Sequence, residues 1–328
     1  MMSHVDSPAL FSRRPFMEAC AESFGDRYKP FEVPASGAST GSGFFALEYR
    51  EPLRLRSFAL APCGLYASPG AGDAVTPAAL EHALSALRGL RVRKFGWKVY
   101  FPHAQLAAGL RGFGLEERRE PTQVLDLEEN YEQIFRGYAP SLRTQVRKAR
   151  RATVVVRDAD DEVSVRAYYA MHRDLARQKG TYEFLYPVGL FLRLVRLPEV
   201  RLRVVEHEGR VIAGGLFFRE PEWIVYWHGA TDRAYSRLYP SRLVFDDIVQ
   251  WGCRTGARFL DFGGSAGIAE LESFKSLWGA RREQNSVFEW NHPVWAAAAR
   301  IKRRYVAARR QERPPIAARS SALGSEPA

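Results

Sequence analysis

Two kinds of hydrophobic spacing alternate along the chain and predict a mixed α/β protein. Alternating or continuous apolar runs predict strands, and apolar residues three and four apart predict amphipathic helices. In the first half the predicted order is strand, strand, helix, strand, helix, strand, at residues 44–50, 53–61, 78–90, 92–101, 102–110 and 122–127. The residues before 44 end in a stretch of small residues that is typical of a flexible loop.

The second half repeats this order with more elements. Helices are predicted at 128–138 and 142–152, a strand at 153–157, and helices at 160–180 and 188–197. A three-stranded meander follows at 201–206, 211–218 and 223–230, and then helix 242–254, strand 258–262, helix 270–278 and strand 286–290. Ser141 and Ser241 are the predicted N-caps of their helices, and Asp160 or Asp161 caps the long helix. Two similar α/β units in tandem would form a cleft between them, and such clefts are favoured ligand sites.

The third strand of the meander supplies two candidate binding residues. Side chains alternate between the faces of a strand, so Tyr226 and His228 are predicted on one face and Trp227 on the other. We expect Tyr226 and His228 to line the cleft. A single histidine at a strand end is also common as a structural residue.

A glycine-rich turn separates the strand at 258–262 from the helix that follows it. In open α/β sheets, ligands bind outside the carboxyl ends of the strands, where this turn is predicted to lie. Glycines at 263, 264 and 267 would let backbone N–H groups approach an anionic or carbonyl oxygen. The helix then carries Phe274, Lys275 and Trp278.

On spacing alone, a simpler interpretation of this helix is favoured. Leu271, Phe274 and Trp278 form one apolar face, and Glu272 with Lys275 would be a surface ion pair. Helical geometry places Lys275 at the rim of that face. A rim position suits both a cation at a pocket mouth and a solvated lysine.

Positive charge is concentrated in two segments. Residues 136–157 contain seven basic residues and no acidic one, and residues 300–319 contain eight basic residues against Glu312. Each segment carries +7 while the whole chain carries +11, so the remainder is slightly acidic. This distribution indicates a polyanionic partner such as tRNA, a phosphorylated substrate or an anionic lipid surface. A solvated basic face is the alternative.

Composition excludes several other classes of protein. No apolar run approaches the ~20 residues of a membrane span, and the first residues lack the apolar region of a signal peptide. We therefore expect a cytoplasmic protein, with the inner face of the membrane as a second location. Cys20, Cys63 and Cys253 are widely separated and show no metal-binding spacing, so no metal or disulfide is predicted and each is expected to be a small core residue.

Several segments together resemble the FemAB-type branch of the GNAT acyltransferases, in which two GNAT-like domains occur in tandem. The most specific is FKSLWG at 274–279, after the FGG turn at 262–264. The others are SLRTQVRKA at 141–149, VIAGG at 211–215, WHGA at 227–230 and YSRLYPS at 235–241. The resemblance covers about residues 126–290, and the first half matches only in element order.

This resemblance implies acyl transfer to an amine. Members of the family transfer an aminoacyl group from aminoacyl-tRNA to a peptidoglycan precursor, or are assigned as acyl-CoA-dependent N-acyltransferases of envelope or polysaccharide pathways. The family lysine corresponds to Lys275, which would stabilise the developing oxyanion together with N–H groups of Gly263 and Gly264. Asp261 is the candidate acceptor of the amine proton, or a structural hydrogen-bonding group on the same face as Phe259.

The chain departs from simple GNAT enzymes where their glycine-rich pyrophosphate loop should precede a helix. That position reads YSRLYPS and has no glycine, so the acyl donor stays open between acyl-CoA and aminoacyl-tRNA. A helix N-terminus with basic neighbours could still bind phosphate. The candidate donor-binding residues are Tyr235, Arg237, Ser241, Arg242, Arg143 and Arg147.

These expectations divide the chain into four parts. They are an N-terminal lead at 1–43, a reduced GNAT-like domain at 44–127, the acyltransferase domain at 128–292, and a basic helix (293–311) with a disordered tail ending at 328. The predicted function is an N-acyltransferase acting on a small-molecule or lipid-linked amine of a cell-envelope or polysaccharide precursor, without a tightly bound cofactor and without DNA. The alternative is a non-catalytic GNAT-like module that binds RNA or an anionic membrane.

Overall fold

Eleven strands of the protein form one mixed sheet in the computed structural model. The structure describes residues 10–33, 44–66, 85, 91–100, 104–127, 130–179, 186–265, 268–294 and 297. By contact density the chain divides into residues 1–290 and 291–328. The predicted helix at 78–90, apart from Ser85, and most of the predicted helix and tail beyond residue 293 lie outside the described residues.

The strands of the first half form one side of the sheet. They are β1 (Tyr28–Val33), β2 (Phe44–Arg50), β3 (Arg56–Leu60), β4 (Val92–Val99) and β5 (Glu116–Asp126). β1, β2 and β3 pair antiparallel, and β3 pairs parallel with β4. The helices are α1 (Arg14–Phe24) and α2 (Ala104–Gly112).

The strands of the second half are β6 (Val155–Asp158), β7 (Val200–His207), β8 (Arg210–Arg219), β9 (Trp223–Thr231), β10 (Phe259–Asp261) and β11 (Arg281–Asn291). The helices are α3 (Tyr131–Gly137), α4 (Pro140–Arg151), α5 (Glu162–Lys179), α6 (Val188–Leu194), α7 (Pro240–Arg254) and α8 (Ala269–Ser276). The predicted meander is therefore confirmed as β7, β8 and β9.

The two halves share strands at their junction. The sheet order is β1-β2-β3-β4-β11-β5-β10-β9-β8-β7-β6, so β11 from the end of the second half lies between β4 and β5. β5 pairs antiparallel with both β10 and β11. The fold class, a mixed α/β sheet with GNAT-like order, is confirmed, and the boundary at residue 127 stays a prediction.

Helices cover both faces of this sheet. On one face a core of buried side chains includes Phe16 of α1, Tyr168 of α5 and Phe191 of α6. On the other face α3, α4 and α7 pack through residues such as Ile134, Leu142 and Ile248, together with Trp278 just after α8. A third core lies between α2 and the strands of the first half. Within the described residues, no helix is both long and apolar enough to cross a membrane.

The lead before residue 44 contains α1 and β1, two elements that the hydrophobic pattern did not predict, and Phe16, Met17 and Cys20 of α1 are fully buried. The two N-cap predictions at serine were wrong. α4 and α7 begin two residues earlier than predicted, at Pro140 and Pro240, and their N-cap residues Ala139 and Tyr239 make no side-chain capping bond. Proline is well suited to the first helical turn, where its missing N–H costs nothing.

The Asp161 cap is confirmed. Its carboxylate accepts a hydrogen bond from the backbone N–H of Ser164 at 2.8 Å, just before α5. The helix α3 has a capping box instead, formed reciprocally by Asn130 and Gln133. These local bonds satisfy backbone donors at the first turn of each helix.

Candidate active site

The candidate site lies where β9 and β10 separate. The two strands pair in parallel from Trp223–Phe259 to Val225–Asp261, and then β10 ends while β9 continues to Thr231. The chain leaves β10 through the glycine turn. An added Cβ on Gly263, whose φ is +71°, would lie 3.6 Å from the carbonyl oxygen of Tyr226, and one on Gly264 would lie 3.2 Å from that of Pro121. Glycine therefore lets the turn fit between β9 and β5.

Lys275 lies beneath this turn. Its ammonium donates hydrogen bonds to the carbonyl oxygens of Gly263 at 2.7 Å and Gly264 at 2.9 Å. Its helical spacing predicts a position at the rim of the apolar face. That prediction was wrong, because the residue is only 4% exposed. Burial lowers the pKa of Lys275 to about 8, although the charges of Asp261 and Glu272 oppose that shift. A lysine has three N–H donors, and the two bonds leave one for another acceptor.

Asp261 fixes the other side of the turn. Its carboxylate accepts hydrogen bonds from the hydroxyls of Tyr100 and Thr122, both at 2.5 Å, and from the N–H of Gly263 at 2.8 Å. The residue is 1% exposed and, as predicted, lies on the same face as Phe259. Burial raises the pKa of Asp261, while the three donors and Lys275 act in the opposite direction.

These contacts correct the predicted oxyanion site in one respect. The N–H of Gly263 donates to Asp261, so it does not point at a substrate oxygen. The two residues proposed as catalytic thus hold a single turn, Lys275 through carbonyl oxygens and Asp261 through an N–H. Sequence reasoning missed Tyr100, which follows β4, and Thr122 of β5. Both are more than 130 positions from Asp261 in the chain.

Tyr226 and His228 lie on opposite faces of the sheet, contrary to the prediction. Phe217 of β8 pairs with Tyr226 and Leu216 pairs with His228, so Trp227 is an extra residue in a β-bulge. A bulge shifts the alternation of side chains by one. Tyr226 consequently packs on Phe245 of α7, with ring centroids 4.8 Å apart.

His228 faces α5 and α6. Its ring lies 4.7 Å from the ring of His172 and 4.2 Å from that of Trp227. Burial, followed by the proximity of His172, lowers the pKa of His228 well below its ordinary value. His228 is therefore a neutral side chain in an aromatic cluster on the α5 face.

Arg242 occupies the start of α7. Its guanidinium donates to the amide oxygen of Gln145 at 3.0 Å and to the hydroxyl of Ser241 at 3.3 Å, and it lies 4.4 Å from the ring centroid of Phe274. Among the described residues it has no carboxylate partner, and burial lowers its pKa. Arg242 thus links α4, α7 and α8 with an uncompensated positive charge.

The remaining predicted residues of this region are more dispersed. The helical turn before α7 contains Arg237, which is exposed, and Tyr235, whose ring contacts His207 and lies under Arg210 near the β7–β8 hairpin. Tyr235 is therefore placed away from the glycine turn. Arg143 donates to the carbonyl oxygens of Arg136 and Tyr138 at the end of α3.

The outer face of α3 and α4 carries five basic residues, which we call the basic surface. They are Arg136, Arg143, Arg147, Lys148 and Arg151. None of these five pairs with a carboxylate among the described residues. The opposite face of α4 is buried through Leu142, Val146 and Ala149. The basic surface adjoins the site, because Gln145 binds Arg242 and the N–H of Ala139 donates to the carbonyl oxygen of Leu277 beside α8.

Arg150 is different from its neighbours and is not simply solvated. It donates twice to the carboxylate of Asp246, which is fully buried and also accepts hydrogen bonds from Tyr131 and Gln250. Burial raises the pKa of Asp246, and these partners oppose the rise. This ion pair fastens α4 to α7.

A cavity of 370 Å³ adjoins the glycine turn at the junction of the two halves. It is lined by Gly263 and Ser265 of the turn and by Pro121 and Ala269. The polar residues that line it come from β5, α8 and β11: Thr122, Gln123, Glu272, Ser273, Ser276 and Arg282. No cluster of three or more potential metal ligands occurs in the part of the chain that the structure describes.

Comparisons with known proteins agree with this geometry. Residues 137–276 match the acetyltransferase (GNAT) domain family. FemX has a similar structure, with a TM-score of 0.69 and 13% identity over 90% of this chain and 95% of FemX. A search of curated proteins gave no match.

Two further structures share the fold. The C-terminal domain of a putative lysylphosphatidylglycerol synthetase from Agrobacterium fabrum has a TM-score of 0.55 and 11% identity, over 87% of this chain and 94% of that domain. L-PGS from Bacillus licheniformis has a TM-score of 0.54 and 12% identity, over 92% and 98%. Residues 137–276 thus match a GNAT acetyltransferase domain, and the chain shares its fold with these three structures.

Proposed function

We propose that this protein is an acyltransferase that transfers an aminoacyl group from a tRNA to an amine of a cell-envelope or polysaccharide precursor. The observation that supports this most directly is the position of Lys275. A buried cation holds the glycine turn at the point where β9 and β10 separate, and the uncompensated basic surface adjoins it. The proposal combines that geometry with the FemAB-like fold.

Lys275 has the charge and position that acyl transfer requires. When the amine attacks the donor carbonyl, negative charge develops on the carbonyl oxygen, and a fixed cation in a water-poor site stabilises it. Two N–H groups of Lys275 hold the carbonyls of the turn, so its ammonium cannot rotate freely. The third N–H is the donor that we assign to the oxyanion.

We assign Asp261 to positioning of the turn. Its carboxylate already accepts three hydrogen bonds and is shielded from solvent. By holding the N–H of Gly263, it keeps the two carbonyls of the turn directed at Lys275. Substrate would then meet a turn that needs no rearrangement during the reaction.

The basic surface and Arg242 favour a polyanionic donor. The five basic residues of this outer face have no carboxylate partner in the described part of the chain, and such a surface is suited to consecutive phosphates of an RNA acceptor end. We assign Arg242, Ser241 and the exposed Arg237 to the phosphates nearest the site, with Arg143 and Arg147 further along α4. Acyl-CoA remains the alternative donor, since its pyrophosphate would use the same residues at the start of α7.

The cavity beside Gly263 is the proposed acceptor site. Its hydroxyl and amide groups, together with the carboxylate of Glu272, can accept hydrogen bonds from an amine. It also lies against α8, the helix that carries Lys275. An amine bound there would approach the turn from the side of β5.

The test is donor consumption by the full chain. Purified protein is incubated separately with tRNA charged with radiolabelled lysine, alanine, serine or glycine, and with acetyl-CoA, each in the presence of a membrane and cell-wall precursor extract. We expect label to move from tRNA to an extractable acceptor, and Lys275→Ala to slow this transfer by about 100- to 1000-fold. Lys94→Ala, at a partly exposed residue of β4, is the matched control.

Each contrary result has a defined meaning. Undiminished transfer by a folded Lys275→Ala protein would remove the catalytic assignment. Transfer from acetyl-CoA alone would replace tRNA with CoA as the donor. If neither donor is consumed while tRNA still binds, the proposed reaction is wrong and a binding function is supported.

A further inference from the structure

The thiols of Cys20 and Cys63 lie next to each other, although the two residues are 43 positions apart. Their sulfur atoms are 3.8 Å apart. Cys20 lies in α1, and Cys63 lies in the turn that follows β3. The sequence predicts two separate core cysteines, so this juxtaposition is a product of the tertiary structure.

The two thiols differ in access to solvent. Cys20 is fully buried among the aromatic and apolar residues beneath the sheet, and burial together with the neighbouring thiol raises its pKa well above the ordinary value. Cys63 is partly exposed. Of the two residues, Cys63 is thus the one nearer to solvent, and we assign it as the thiol that meets a soluble oxidant.

We propose that Cys20 and Cys63 are a redox site that forms an intramolecular disulfide with a small disulfide such as oxidised glutathione. A disulfide bond is about 2.05 Å long, so the two sulfur atoms must approach by less than 2 Å in total. Both are carried on single Cβ atoms, and rotation about χ1 supplies a movement of this size. Cys63 belongs to a turn, which can adjust more readily than α1.

The reaction proceeds by two exchanges. The Cys63 thiolate attacks one sulfur of oxidised glutathione, forming a mixed disulfide and releasing one glutathione thiolate. The Cys20 sulfur, giving up its proton, then attacks the sulfur of Cys63 and releases the second glutathione thiolate. The two protons lost by the cysteines are taken up by these thiolates, so two protein thiols are oxidised and one glutathione disulfide is reduced to two thiols.

The disulfide would tie α1 to a turn that supports β9. The carbonyl oxygen of Cys63 accepts a hydrogen bond from the indole N–H of Trp227 at 3.0 Å. Trp227 is the bulged residue of β9, and its ring stacks on Tyr186 and Phe191. Oxidation thus links α1 covalently to the turn that holds the bulge, and it closes a loop of more than 40 residues that would otherwise be free in the unfolded chain.

Cys253 provides an internal control. It lies in α7 on the opposite face of the sheet and has no thiol partner in the part of the chain that the structure describes. It should remain a reduced thiol that can be alkylated before and after treatment with oxidised glutathione. A Cys253→Ser protein should behave as the parent does.

The experiment compares the full chain before and after treatment with oxidised glutathione, followed by alkylation under denaturing conditions and peptide mass mapping. Reduced protein should be alkylated at all three cysteines. Oxidised protein should be alkylated only at Cys253 and should yield a linked pair of peptides lighter by two hydrogen atoms. Its midpoint of thermal unfolding should rise by about 3–8 °C and return on reduction.

Cys20→Ser and Cys63→Ser should each abolish both the linked peptide and the thermal shift. Persistent glutathione on Cys63 without a link to Cys20, a link that includes Cys253, or a linked protein that unfolds at the same temperature would overturn the proposal. None of these readouts requires a substrate, so failure here is separate from failure of the proposed acyl transfer.

Discussion

Lys275 is a buried cation, and its titration should have opposite effects on activity and stability. The pKa is about 8 in the folded protein and ordinarily 10.5, so between these values the unfolded chain binds more protons. Stability relative to a Lys275→Met protein should therefore rise with pH across this window, by about 3 kcal/mol at most. Denaturant unfolding of both proteins from pH 7 to pH 10.5 measures this difference.

The activity of the parent should fall in the same pH range. Deprotonation above pH 8 removes the charge that we assign to oxyanion stabilisation, so turnover should decline while the fold becomes more stable. An activity that continues to increase to about pH 10 would contradict the cationic role. The residual activity of Lys275→Met should lack this decline.

The ion pair between Arg150 and Asp246 should be the part of α4 that stabilises the fold. Removing the guanidinium leaves a buried carboxylate with only Tyr131 and Gln250, so Arg150→Ala should destabilise the protein by about 2–4 kcal/mol. Arg151→Ala changes the adjacent exposed residue of the basic surface and should change stability by less than about 0.5 kcal/mol. Urea unfolding distinguishes the two, and equal effects would show that the pair is unimportant.

At the scale of single elements, Gly214 of β8 sets the distance between the sheet and α5. A Cβ on Gly214 would lie 2.8 Å from a ring carbon of Tyr168 and 3.0 Å from the carbonyl oxygen of Arg203. We expect Gly214→Ala to destabilise the protein by about 1–3 kcal/mol, because the fully buried Tyr168 has little room to move. A lower urea midpoint is the expected measurement.

Gly112, at the end of α2, is the matched control. No atom lies within 4 Å of the position that a Cβ would take there, and its φ is not in the left-handed region. Gly112→Ala should be neutral or stabilising by up to about 1 kcal/mol. If both variants are destabilised equally, the close approach to Tyr168 is not the cause.

At the scale of the whole molecule, the basic surface should dominate binding to tRNA. The logarithm of the affinity falls linearly with the logarithm of the salt concentration. Losing the contact to one phosphate reduces the magnitude of this slope by about 0.7–0.9. The triple variant Arg136→Ala, Arg147→Ala, Arg151→Ala should thus weaken binding at low salt and reduce that slope by about 2–3. Fluorescence anisotropy of labelled tRNA at several salt concentrations measures both quantities.

A second triple variant removes the same amount of charge elsewhere. Arg166, Arg177 and Arg210 are exposed, but each lies near a carboxylate, namely Glu162, Asp174 and Asp232. Their replacement by Ala should leave the slope nearly unchanged. Equal reductions in the two triple variants would indicate attraction by net charge alone, without a defined RNA surface.

The hydrophobic pattern was sufficient to predict most strands and helices, since each is encoded by its own short segment. The family resemblance, and not this pattern, associated Lys275 with the glycine turn. Prediction of side-chain direction failed at the β-bulge, because one extra residue in a strand reverses the face on which every later side chain lies. The bulge at Trp227 moves His228 to the α5 face, and strand alternation carries no sign of it.

By itself, the sequence determined the order of most elements after residue 44, the mixed α/β class, the clustered charge of α4 and the segment that contains Lys275, because these depend on residues close together in the chain. Only the tertiary structure decided that β11 lies between β4 and β5, that Tyr100 and Thr122 bind Asp261, and that Cys20 faces Cys63. These contacts join distant segments, and many pairings of such segments satisfy the same local pattern. Packing of the whole chain selects one of them, and with it the burial that turns Lys275 from a rim residue into a buried cation beneath the turn.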